Sequence, residues 1–553
     1  MKKISKKVLS SLLVLSLACG TLAACGGKDK PQGSSTGSNA SEKTSEPNSS
    51  ESGKETEPGS EAPDGEKVTL TYWTALNGNV EPNYQNLGDT PLYQEYEKRM
   101  NVNIDFQHPG SGQANEAFAI LLSSSDLPDI IEWNWLTYSG GPEKALLDEV
   151  IMDHSDIIEN NAPNLKAYLE ANPEIAKQVK TDDGRYYTFP FIRGDEKLLY
   201  SSGIIVRQDW LDELGLEMPK TMDQWEEVLT KFKEEKGATA PLTYVPYMLG
   251  WGHWTNPFGI QTGFYRDDEG KVKYGYAEPA YKEFLKTFHD WFQKGLIDPD
   301  IASMDGGQVN AKMTSGQAGV SMGWIAGSMG VWTNAGRETN PDYKLAGAPV
   351  PVMKEGEEAR FGSYDFPYTA TGSASITTSC KNVEAAAKFL DYGYSEEGHD
   401  LLNFGIEGVS YDMVDGYPTY KEELYNDPSG KPLAQALASY IRANYNGPFV
   451  QDVRYVEQYY PFDEQKEAYE TWSHTNAKDH KMPPITFTPE EATEYAQLMN
   501  EIQAECDRAY LAFLFGDEDI DANFDKYVET IKDLGLDRAI EINETALARY
   551  NER

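Results

Sequence analysis

The stretch that decides the fold is residues 68–133, which begins VTLTYWTA (68–75). Apolar and polar residues alternate in this first segment and β-formers dominate it, so it predicts a strand. The segments that follow are a helix PLYQEYEKR (91–99), a strand VNIDFQ (102–107), a helix NEAFAILLS (115–123) and a strand DIIEW (129–133). Strands that alternate with helices predict right-handed crossovers and parallel pairs within one sheet. The sequence therefore predicts an α/β fold.

Two segments of this stretch are expected at the ligand-binding edge of the predicted sheet. Ligands of such sheets bind beyond the carboxyl ends of the strands. Residues 73–77 include the end of the first predicted strand and the loop after it, and residues 132–138 do the same for the third. Both segments should therefore lie at one rim.

The chain starts with the layout of a secretory signal. A basic segment MKKISKK (1–7) precedes an apolar run that ends LAAC (22–25). The end of this run resembles a bacterial lipobox, in which the cysteine is diacylated and becomes the new N-terminus. The sequence thus predicts a lipoprotein signal peptide over 1–24 and lipidation of Cys25. Two alternatives are a plain secretory signal cut near Ala24 and a weaker motif that ends at Cys19.

A tether is predicted between the lipidation motif and the folded body. Residues 26–66 are almost entirely Gly, Ser, Thr, Pro, Glu, Asp and Lys. Such a segment cannot bury enough apolar area to offset its ordering entropy, so we expect it to be disordered. A flexible chain of about 40 residues has an end-to-end distance on the order of 35 Å. The predicted segment 25–66 is therefore a lipidated cysteine followed by a flexible spacer.

The composition of the remaining chain limits its size class and partners. Residues 67–553 are too many for one ordinary core and predict two domains. The formal charge of −40 repels nucleic acid, so we expect no nucleic-acid partner. Cys380 and Cys506 are the cysteines of this body. Two cysteines are not a disulfide framework. One bridge between them is possible, and two buried free thiols are the favoured interpretation.

Five separated phrases resemble a known family and occur in its order. They are SSSDLPDIIE (123–132), VRQDWLDELGL with PKTMDQW (206–225), KNVEAAAKFLDYGYSEEG (381–398), FGIEGVSY (404–411) and the final stretch 527–550. Together they resemble family 1 extracellular solute-binding proteins, the receptor subunits of ABC importers, from about residue 68 onward. The resemblance is strongest to the large, lipobox-bearing branch of Gram-positive bacteria. Maltose-binding and alginate-binding proteins are more distant relatives.

The resemblance implies a two-lobed periplasmic-binding-protein-like fold with hinge strands and a ligand cleft between the lobes. The chain should cross between lobes near residues 187–190, again near 364–368, and a third time somewhere past Tyr420. The implied lobes are an N-terminal one of 68–190 plus about 368–425 and a C-terminal one of 191–367 plus about 426–553. Two such lobes close on a ligand by bending at the hinge.

Several of the phrases also predict helix boundaries. Asp209 is placed to cap a helix that runs through Leu214 and is stopped by Gly215. Thr221, with Gln224 three residues later, predicts nearly a capping box. Residues 384–392 predict an Ala-rich amphipathic helix. These residues are interpreted as structural rather than as part of the site.

Aromatic residues at strand ends and in loops are the candidate ligand contacts, because sugars stack their apolar faces on flat rings. The candidate binding residues are Trp73, Asn77, Glu132, Trp133, Trp135, Trp251, Trp254 and Trp324. By their order in the family, Trp133 and Trp324 are expected to face each other across the cleft. The alternative for each tryptophan is a place in the core. For Trp210, Trp225 and Trp291, which lie in helical phrases, the core is the favoured interpretation.

No catalytic or metal-binding motif is found in the sequence. It contains no HExxH, no GxSxG elbow and no P-loop lysine, and its seven histidines lack ligand spacing. Carboxylates are too abundant for counting to exclude a glycosidase pair. Residues 266–271 (RDDEGK) favour a hairpin turn over a calcium loop, because the alternating ligand pattern is missing. We expect no cofactor and no resident metal, although alginate-binding relatives carry calcium.

The sequence and the resemblance together predict a carbohydrate receptor that is not an enzyme. It would be lipid-anchored on the extracellular face of the cell membrane, and it would deliver an oligosaccharide or other small solute to ABC permease subunits as a monomer. The alternatives are a cell-surface glycoside hydrolase or lyase, a receptor for a non-sugar solute such as a peptide, and a scaffold or adhesin.

Overall fold

The computed structural model describes residues 67–124 and 126–553. The predicted signal peptide, Cys25 and the tether at 26–66 lie outside the described residues. Within the described part of the chain, no helix is both long and apolar enough to cross a membrane.

Thirteen strands are formed by the described residues. They are β1 (Val68–Trp73), β2 (Val102–Gln107), β3 (Ile130–Glu132), β4 (Phe189–Arg193), β5 (Ser202–Arg207), β6 (Phe264–Arg266), β7 (Val272–Tyr274), β8 (Val320–Trp324), β9 (Leu345–Ala348), β10 (Tyr368–Ile376), β11 (Tyr411–Val414), β12 (Tyr417–Tyr420) and β13 (Val450–Gln451).

The described α-helices number twenty-one. They are α1 (Pro91–Met100), α2 (Ala114–Leu122), α3 (Gly141–Leu147), α4 (Ser155–Asn161), α5 (Pro163–Ala171), α6 (Pro173–Gln178), α7 (Gln208–Leu214), α8 (Met222–Glu235), α9 (Pro279–Gln293), α10 (Gly306–Ser315), α11 (Val331–Thr339), α12 (Val383–Tyr392), α13 (Glu396–Phe404), α14 (Glu422–Tyr425), α15 (Leu433–Leu437), α16 (Val453–Tyr459), α17 (Asp463–Trp472), α18 (Ala477–His480), α19 (Pro489–Phe515), α20 (Ile520–Asp533) and α21 (Leu536–Glu552).

The first sheet has six strands in the order β13-β4-β10-β3-β1-β2. Strand β1 pairs in parallel with β2 on one side and with β3 on the other, as the alternation of strands and helices predicted. Strand β10 runs antiparallel between β3 and β4. The α/β prediction is confirmed, and the carboxyl ends of β1 and β3 meet at one rim of the sheet.

Local signals explain where the early elements begin. The Thr90 side chain accepts a hydrogen bond from the Tyr93 N–H, and Pro91 occupies the first helical turn of α1.

A contact between distant residues positions β3 against β1. The N–H and hydroxyl of Thr71, on β1, both donate to the Asp129 carboxylate, at 2.8 and 2.9 Å. These bonds hold the turn before β3 against β1 and so fix the position of the residues that follow β3.

The second sheet is antiparallel, with the order β8-β5-β9. Glycines on β5 and β9 let α17 lie directly on this sheet. A Cβ on Gly203 would lie 2.2 Å from the Trp472 ring, and one on Gly347 would lie 2.6 Å from Ala468. The Trp472 Nε1–H then donates to the Ala348 carbonyl at 3.1 Å. Side chains at the two glycines would force the helix away and break this contact.

Two hydrophobic cores divide the described chain into two lobes. The first lobe is built on the six-stranded sheet and comprises residues 67–193 and 368–459. The second lobe is built on β8-β5-β9 and comprises residues 202–361 and 460–553. The segment 433–455 packs in the first core, so the third crossing follows Tyr455 rather than lying near 425. Its helices are short, and the contacts that place the segment are made with residues far along the chain, so no local sequence signal indicated its lobe.

A small third cluster lies where the chain crosses between the lobes. Leu199 and Tyr200 come from the first crossing, Tyr364 from the second, and Ala477 follows the third. Polar contacts join the same segments: the Ser202 and Ser363 hydroxyls are 2.8 Å apart, and the Arg193 guanidinium contacts Asp365 at 2.6 Å. We call the residues of this third cluster the crossing cluster.

The predicted helix boundaries in the second lobe are mostly confirmed. Thr221 and Gln224 form a complete capping box at the start of α8, and Gly215 ends α7 with a positive φ of 65°. The prediction that Asp209 caps α7 is wrong. Helix α7 begins at Gln208, and Asp209 instead forms a buried ion pair with Arg207 at 2.6 Å. Pairing a buried guanidinium takes precedence over capping here, because an unpaired buried charge is far costlier than an uncapped end.

Two further predictions are confirmed by the structure. Cys380 and Cys506 are free and buried, and each belongs to a different core. Residues 267–271 form the turn of the β6–β7 hairpin, in which the Asp267 carboxylate accepts from the Glu269 and Lys271 N–H groups. Within the described ranges no group of three or more His, Cys, Asp or Glu side chains is arranged to hold a metal ion.

Candidate functional site

A cavity of about 410 Å³ lies at the carboxyl ends of β1 and β3 in the first lobe. It is lined by Thr74, Ala75, Leu76, Asn77, Leu87, Asn115, Glu132, Trp133, Asn134, Thr137, Thr371, Gly372, Arg442, Tyr445 and Asn446. Three larger depressions, of about 670, 690 and 440 Å³, lie elsewhere on the surface. We place the site in the smaller cavity, because it occupies the edge at which open α/β sheets bind ligands.

Trp133 forms an aromatic wall of this cavity. Its ring stacks on Phe118 with centroids 4.1 Å apart and an angle of 16° between the planes. Trp73 lies 5.9 Å from both rings and is itself buried. The Trp133 N–H donates to the Ser373 carbonyl at 3.0 Å, which fixes the backbone of the residue to β10. Phe118 and Trp73 therefore hold a half-buried indole rigidly at the edge of the cavity.

A buried ion pair lies at the floor of the cavity. Arg442 Nη2 donates to Glu132 Oε1 at 2.8 Å, and the two side chains are 2% and 9% exposed. Tyr72 donates to the other carboxylate oxygen at 2.9 Å, and Arg442 Nη1 donates to the Tyr93 hydroxyl at 2.6 Å. Burial alone would lower the pKa of Arg442, but the adjacent Glu132 carboxylate raises it well above its ordinary value. Arg442 therefore keeps its charge, and both side chains have hydrogen-bond partners within the protein.

Two asparagines at the rim present polar groups to the cavity. Asn77 Oδ1 accepts from the Asn79 N–H at 2.9 Å, and Asn134 Oδ1 accepts from the Leu136 N–H at 3.2 Å. Both contacts fix the side chain within its own loop. Because an amide also carries two N–H donors, each asparagine keeps a donor group for a ligand. Hydrogen-bonding amides beside an indole suit a ligand with many hydroxyl groups.

His108 lies behind the cavity wall and positions two of its residues. Its Nε2 accepts from the Leu87 N–H at 3.2 Å, and its Nδ1 lies 2.7 Å from the Thr74 carbonyl. These partners assign the tautomer with the proton on Nδ1. Burial lowers the pKa of His108, which favours this neutral form. Protonation at Nε2 would break the bond to Leu87.

The loop at Asn446 approaches β10 closely at the cavity edge. Gly372 has a φ of 90°, and a Cβ there would lie 2.6 Å from the Asn446 Cβ. Both residues line the cavity. Glycine is therefore required at 372 by its backbone conformation and by the space beside it. A larger residue would displace the loop that carries Arg442, Tyr445 and Asn446.

The second lobe presents an aromatic surface at the end of its own sheet. Trp324 ends β8, pairs with Ser202 and is 40% exposed. Trp251 lies 5.1 Å from it, and Tyr247, which is 60% exposed, lies 6.4 Å from Trp251. A π-helical turn, Ile325–Gly330, follows Trp324 directly. We call Tyr247, Trp251 and Trp324 the second-lobe aromatic surface.

The structure separates the eight candidate residues into groups. Asn77, Glu132 and Trp133 line the first-lobe cavity, and Trp251 and Trp324 lie in the second-lobe aromatic surface. Trp73 is buried and supports Trp133 from behind. That Trp133 and Trp324 face each other across the cleft stays a prediction.

Trp135 and Trp254 do not fit the role assigned to them. Both are 0% exposed, so neither has a face to offer a ligand. Trp135 packs in the first core, and Trp254 packs against Trp225 at 5.1 Å and Trp291 at 6.0 Å. These two predictions are wrong. The core interpretation of Trp210, Trp225 and Trp291 is confirmed, because all three are buried in the second core.

Several cavity residues were not found from the sequence. They are Leu87, Asn115, Thr371, Gly372, Arg442, Tyr445 and Asn446, together with Tyr247 of the second-lobe aromatic surface. Arg442 lies 310 positions from Glu132, so no local pattern joins them. Tyr247 carried a usable signal, since it lies in the proline- and glycine-bounded loop that contains Trp251.

Two lobes joined by three crossings, with a cavity at the strand ends of one of them, define a ligand-binding protein of the periplasmic-binding-protein-like class. The chain belongs to the bacterial extracellular solute-binding protein family, which residues 81–400 match. The family resemblance drawn from the five sequence phrases is therefore confirmed.

Individual relatives agree with this membership. The fructooligosaccharide ABC transporter substrate-binding protein FusA of Streptococcus pneumoniae is 29% identical over 365 residues, which are 62% of this chain and 64% of FusA. The match thus spans less than two thirds of that relative. The polygalacturonan/rhamnogalacturonan-binding protein YtcQ of Bacillus subtilis is 25% identical over 98% of each chain. The crystal structure of the alginate-binding protein AlgQ2 without calcium ion has a TM-score of 0.71 at 23% identity, covering 87% of this chain and 98% of its own. That likeness shows the fold.

Proposed function

We propose that this protein is an extracellular receptor that captures an oligosaccharide and delivers it to an ABC import permease. Family membership supports the solute-binding role. The relatives FusA and YtcQ are named for the binding of fructooligosaccharide and of polygalacturonan or rhamnogalacturonan. A carbohydrate is the ligand class that these names share.

The observation that carries the proposal is the composition of the first-lobe cavity. A rigid indole, Trp133, stands beside the amides of Asn77 and Asn134 and the hydroxyl-bearing Thr371. Sugar rings present apolar C–H faces that stack on indoles, and hydroxyls that need both donors and acceptors. The cavity thus offers both kinds of contact within one wall.

The second-lobe aromatic surface supplies the opposing contact in this proposal. Trp324 pairs with Ser202, which directly follows the first crossing, and Trp133 donates to Ser373 on β10, the strand that follows the second crossing. Both indoles are therefore attached to strands next to the hinge. Rotation about the crossing cluster would bring the aromatic surface over the cavity. The two lobes, bounded as their cores indicate, are the bodies that move.

A membrane anchor belongs to the same proposal. The lipobox-like LAAC at 22–25 and the polar segment at 26–66 would hold the receptor on the extracellular face of the membrane while leaving the body free to turn. Lipidation of Cys25 and a monomeric receptor are parts of this proposal. A surface with a formal charge of −40 favours solubility beside anionic lipid headgroups.

The cavity favours binding over hydrolysis. Glycoside hydrolysis uses two carboxyl groups that flank the scissile bond. The residues that line the cavity include one carboxylate, Glu132, and it is engaged by Arg442 and Tyr72. A carboxylate held in this way orients its neighbours rather than transferring protons.

The test is a binding screen of the full chain against soluble oligosaccharides, combined with product analysis. We expect at least one oligosaccharide to bind in calorimetry and to be recovered intact after prolonged incubation. Detection of cleaved product would show that the protein is an enzyme rather than a receptor. Binding of peptides or other solutes, with no saccharide bound, would overturn the carbohydrate assignment while leaving the solute-binding family intact.

A further inference from the structure

The charge balance of the first-lobe cavity identifies the kind of oligosaccharide it accepts. Among the fifteen lining residues, Glu132 and Arg442 are the two that carry a formal charge at neutral pH, and they are paired with each other. The rest are asparagines, threonines, aromatic residues and small apolar residues. The cavity therefore has no net charge.

Every nitrogen of the Arg442 guanidinium already donates a hydrogen bond within the protein, and the side chain is only 2% exposed. Its guanidinium donates to Glu132, to the Tyr93 hydroxyl and to the Asn446 carbonyl. A carboxylate is bound most strongly by two parallel N–H donors of one guanidinium. A uronate that took those donors would leave Glu132 buried beside a second negative charge and without its partner, which is strongly unfavourable.

The remaining lining groups match neutral hydroxyls. The free amide N–H groups of Asn77 and Asn134 donate, and Thr371 and Asn446 add groups that both donate and accept. None of these side chains compensates the charge of an anion. The formal charge of −40 over the whole chain adds a field that repels acidic oligosaccharides.

We propose that the site selects uncharged oligosaccharides and rejects those that carry free uronic acid groups. This inference rests on the proposed function and goes beyond it, because the similar proteins do not decide it: FusA is named for a neutral sugar, and YtcQ and AlgQ2 are named for polymers of acidic sugars. In this proposal, the Glu132–Arg442 ion pair at the floor of the cavity discriminates between neutral and acidic oligosaccharides.

The experiment uses matched ligands in which each charged carboxylate is replaced by its neutral methyl ester. Calorimetry on the full chain would compare oligogalacturonate and oligomannuronate with their methyl esters, beside neutral fructo-, manno-, gluco- and galacto-oligosaccharides of equal length. We expect binding among the neutral compounds, with a dissociation constant that changes less than twofold between low and high salt. For any uronate backbone that binds, the ester should bind at least tenfold more tightly than the free acid.

Two variants make the test independent of which sugar binds. Glu132→Gln keeps the shape of the floor and gives the cavity one net positive charge, so it should gain affinity for free uronates at least tenfold. Because that variant leaves the buried Arg442 without its ionic partner and so loses stability, Asn115→Lys provides the same charge from an exposed position at the start of α2. Asn115→Gln is its neutral control, and its effect on the affinity for both ligand classes measures the steric contribution of a longer side chain at this position.

The outcomes separate the inference from the function on which it rests. The neutral selection is overturned if a free uronate binds the unaltered chain as tightly as its ester, or if its binding is strongly weakened by salt. Either result would leave the proposed function as a carbohydrate receptor intact. The same conclusion follows if neither charge variant gains uronate affinity. If no saccharide of any kind binds, the proposed function itself fails, and the inference fails with it.

Discussion

Arg442 and Glu132 lie 310 positions apart in the chain and form an ion pair of 2.8 Å at the floor of the cavity. Glu132 ends β3, and Arg442 belongs to the segment that follows α15. The pair thus ties the loop at 442–446 to the end of β3, which Trp133 directly follows. Two walls of one cavity depend on a contact that neither segment can make alone.

Breaking this pair should destabilise the first lobe. Removing one partner leaves a buried, uncompensated charge, which typically costs about 3–5 kcal/mol. We therefore expect Glu132→Ala to lower the free energy of unfolding by about that amount in urea titrations. The double variant Glu132→Leu with Arg442→Met should recover most of the loss, since it leaves no unpaired charge. Equal destabilisation by the single and double variants would contradict this account.

Trp324 should act as a ligand platform rather than as a core residue. It is 40% exposed, so Trp324→Ala should change the melting temperature little. Base–aromatic stacking is worth about 1–3 kcal/mol by alanine substitution, and a sugar face should be of similar order. The dissociation constant should therefore rise about tenfold or more. Calorimetry and thermal melting on one preparation measure both quantities.

Trp254 provides the matched control for that experiment, because it is a buried tryptophan of the same lobe. Trp133 tests the aromatic wall of the first-lobe cavity in the same way. Trp254→Ala removes a fully buried indole, which should cost about 3–5 kcal/mol of stability and leave the affinity of the surviving fold unchanged. Trp133→Ala should weaken binding as Trp324→Ala does, with an intermediate loss of stability because it also unstacks Phe118. Large destabilisation with unchanged affinity at 133 and 324 would refute the platform assignment.

The architecture of the early chain could be predicted because its signals are local. Alternation in β1, the Thr90–Pro91 helix start and the Thr221–Gln224 capping box each depend on residues within a few positions of each other. The lobe of residues 433–455 could not be predicted in this way. These residues join the first core through contacts far along the chain, with Ala443 lying against Leu402 and Phe449 against Ile192.

The site could be predicted only in part, for a reason visible at Trp133 and Trp135. Strand alternation would place both side chains on the same side. Strand β3 ends at Glu132, however, and a 3₁₀ turn begins at Trp135 after the Asn134 cap, so the two indoles diverge into cavity and core. Trp251 and Trp254 diverge similarly, with Gly252 at a φ of 85° between them. Backbone turns of one or two residues, rather than composition, decided which tryptophans remain accessible.

The neutral state of His108 should give the fold a specific pH dependence. Burial lowers its pKa in the folded protein, so the unfolded chain binds more protons between the two pKa values. The free energy of unfolding contributed by His108 should therefore fall as the pH drops below about 6.5 and be constant above it. We expect the difference in stability between the unaltered chain and His108→Gln to increase from about pH 5 to pH 7.

Urea titrations across that range would measure the difference directly. His154 and His253 also have pKa values lowered by burial, to about 4, but they are present in both proteins and cancel in the comparison. Because His108 holds Thr74 and Leu87 in the cavity wall, ligand affinity should weaken at a lower pH, where His108 of the folded protein itself becomes protonated. A difference in stability that is flat with pH would mean that His108 does not change its protonation on unfolding.

Ligand binding should make the body more compact. The crossing cluster is small, and three separate chain segments meet in it, so it can bend without disturbing either core. Small-angle scattering of the full chain should show a smaller radius of gyration when a tight ligand is added. The variant Trp324→Ala, at the same occupancy, should close less completely. A tight ligand with an unchanged scattering profile would show that hinge closure is wrong.

The last prediction concerns the anchor, which depends on the thiol of Cys25. Diacylation attaches two chains at one residue, and stable membrane attachment requires two such signals because a single chain gives only reversible binding. Cys25→Ala should therefore release the protein into the medium or leave it unprocessed, whereas Cys19→Ala, which alters the weaker motif, should leave it in the membrane fraction. Fractionation of cells that express each variant, with mass determination of the N-terminal peptide, measures location and lipidation together. Full membrane retention of an unlipidated Cys25→Ala protein at the cell surface would contradict the lipid anchor, because another part of the chain would then be attaching the protein to the membrane.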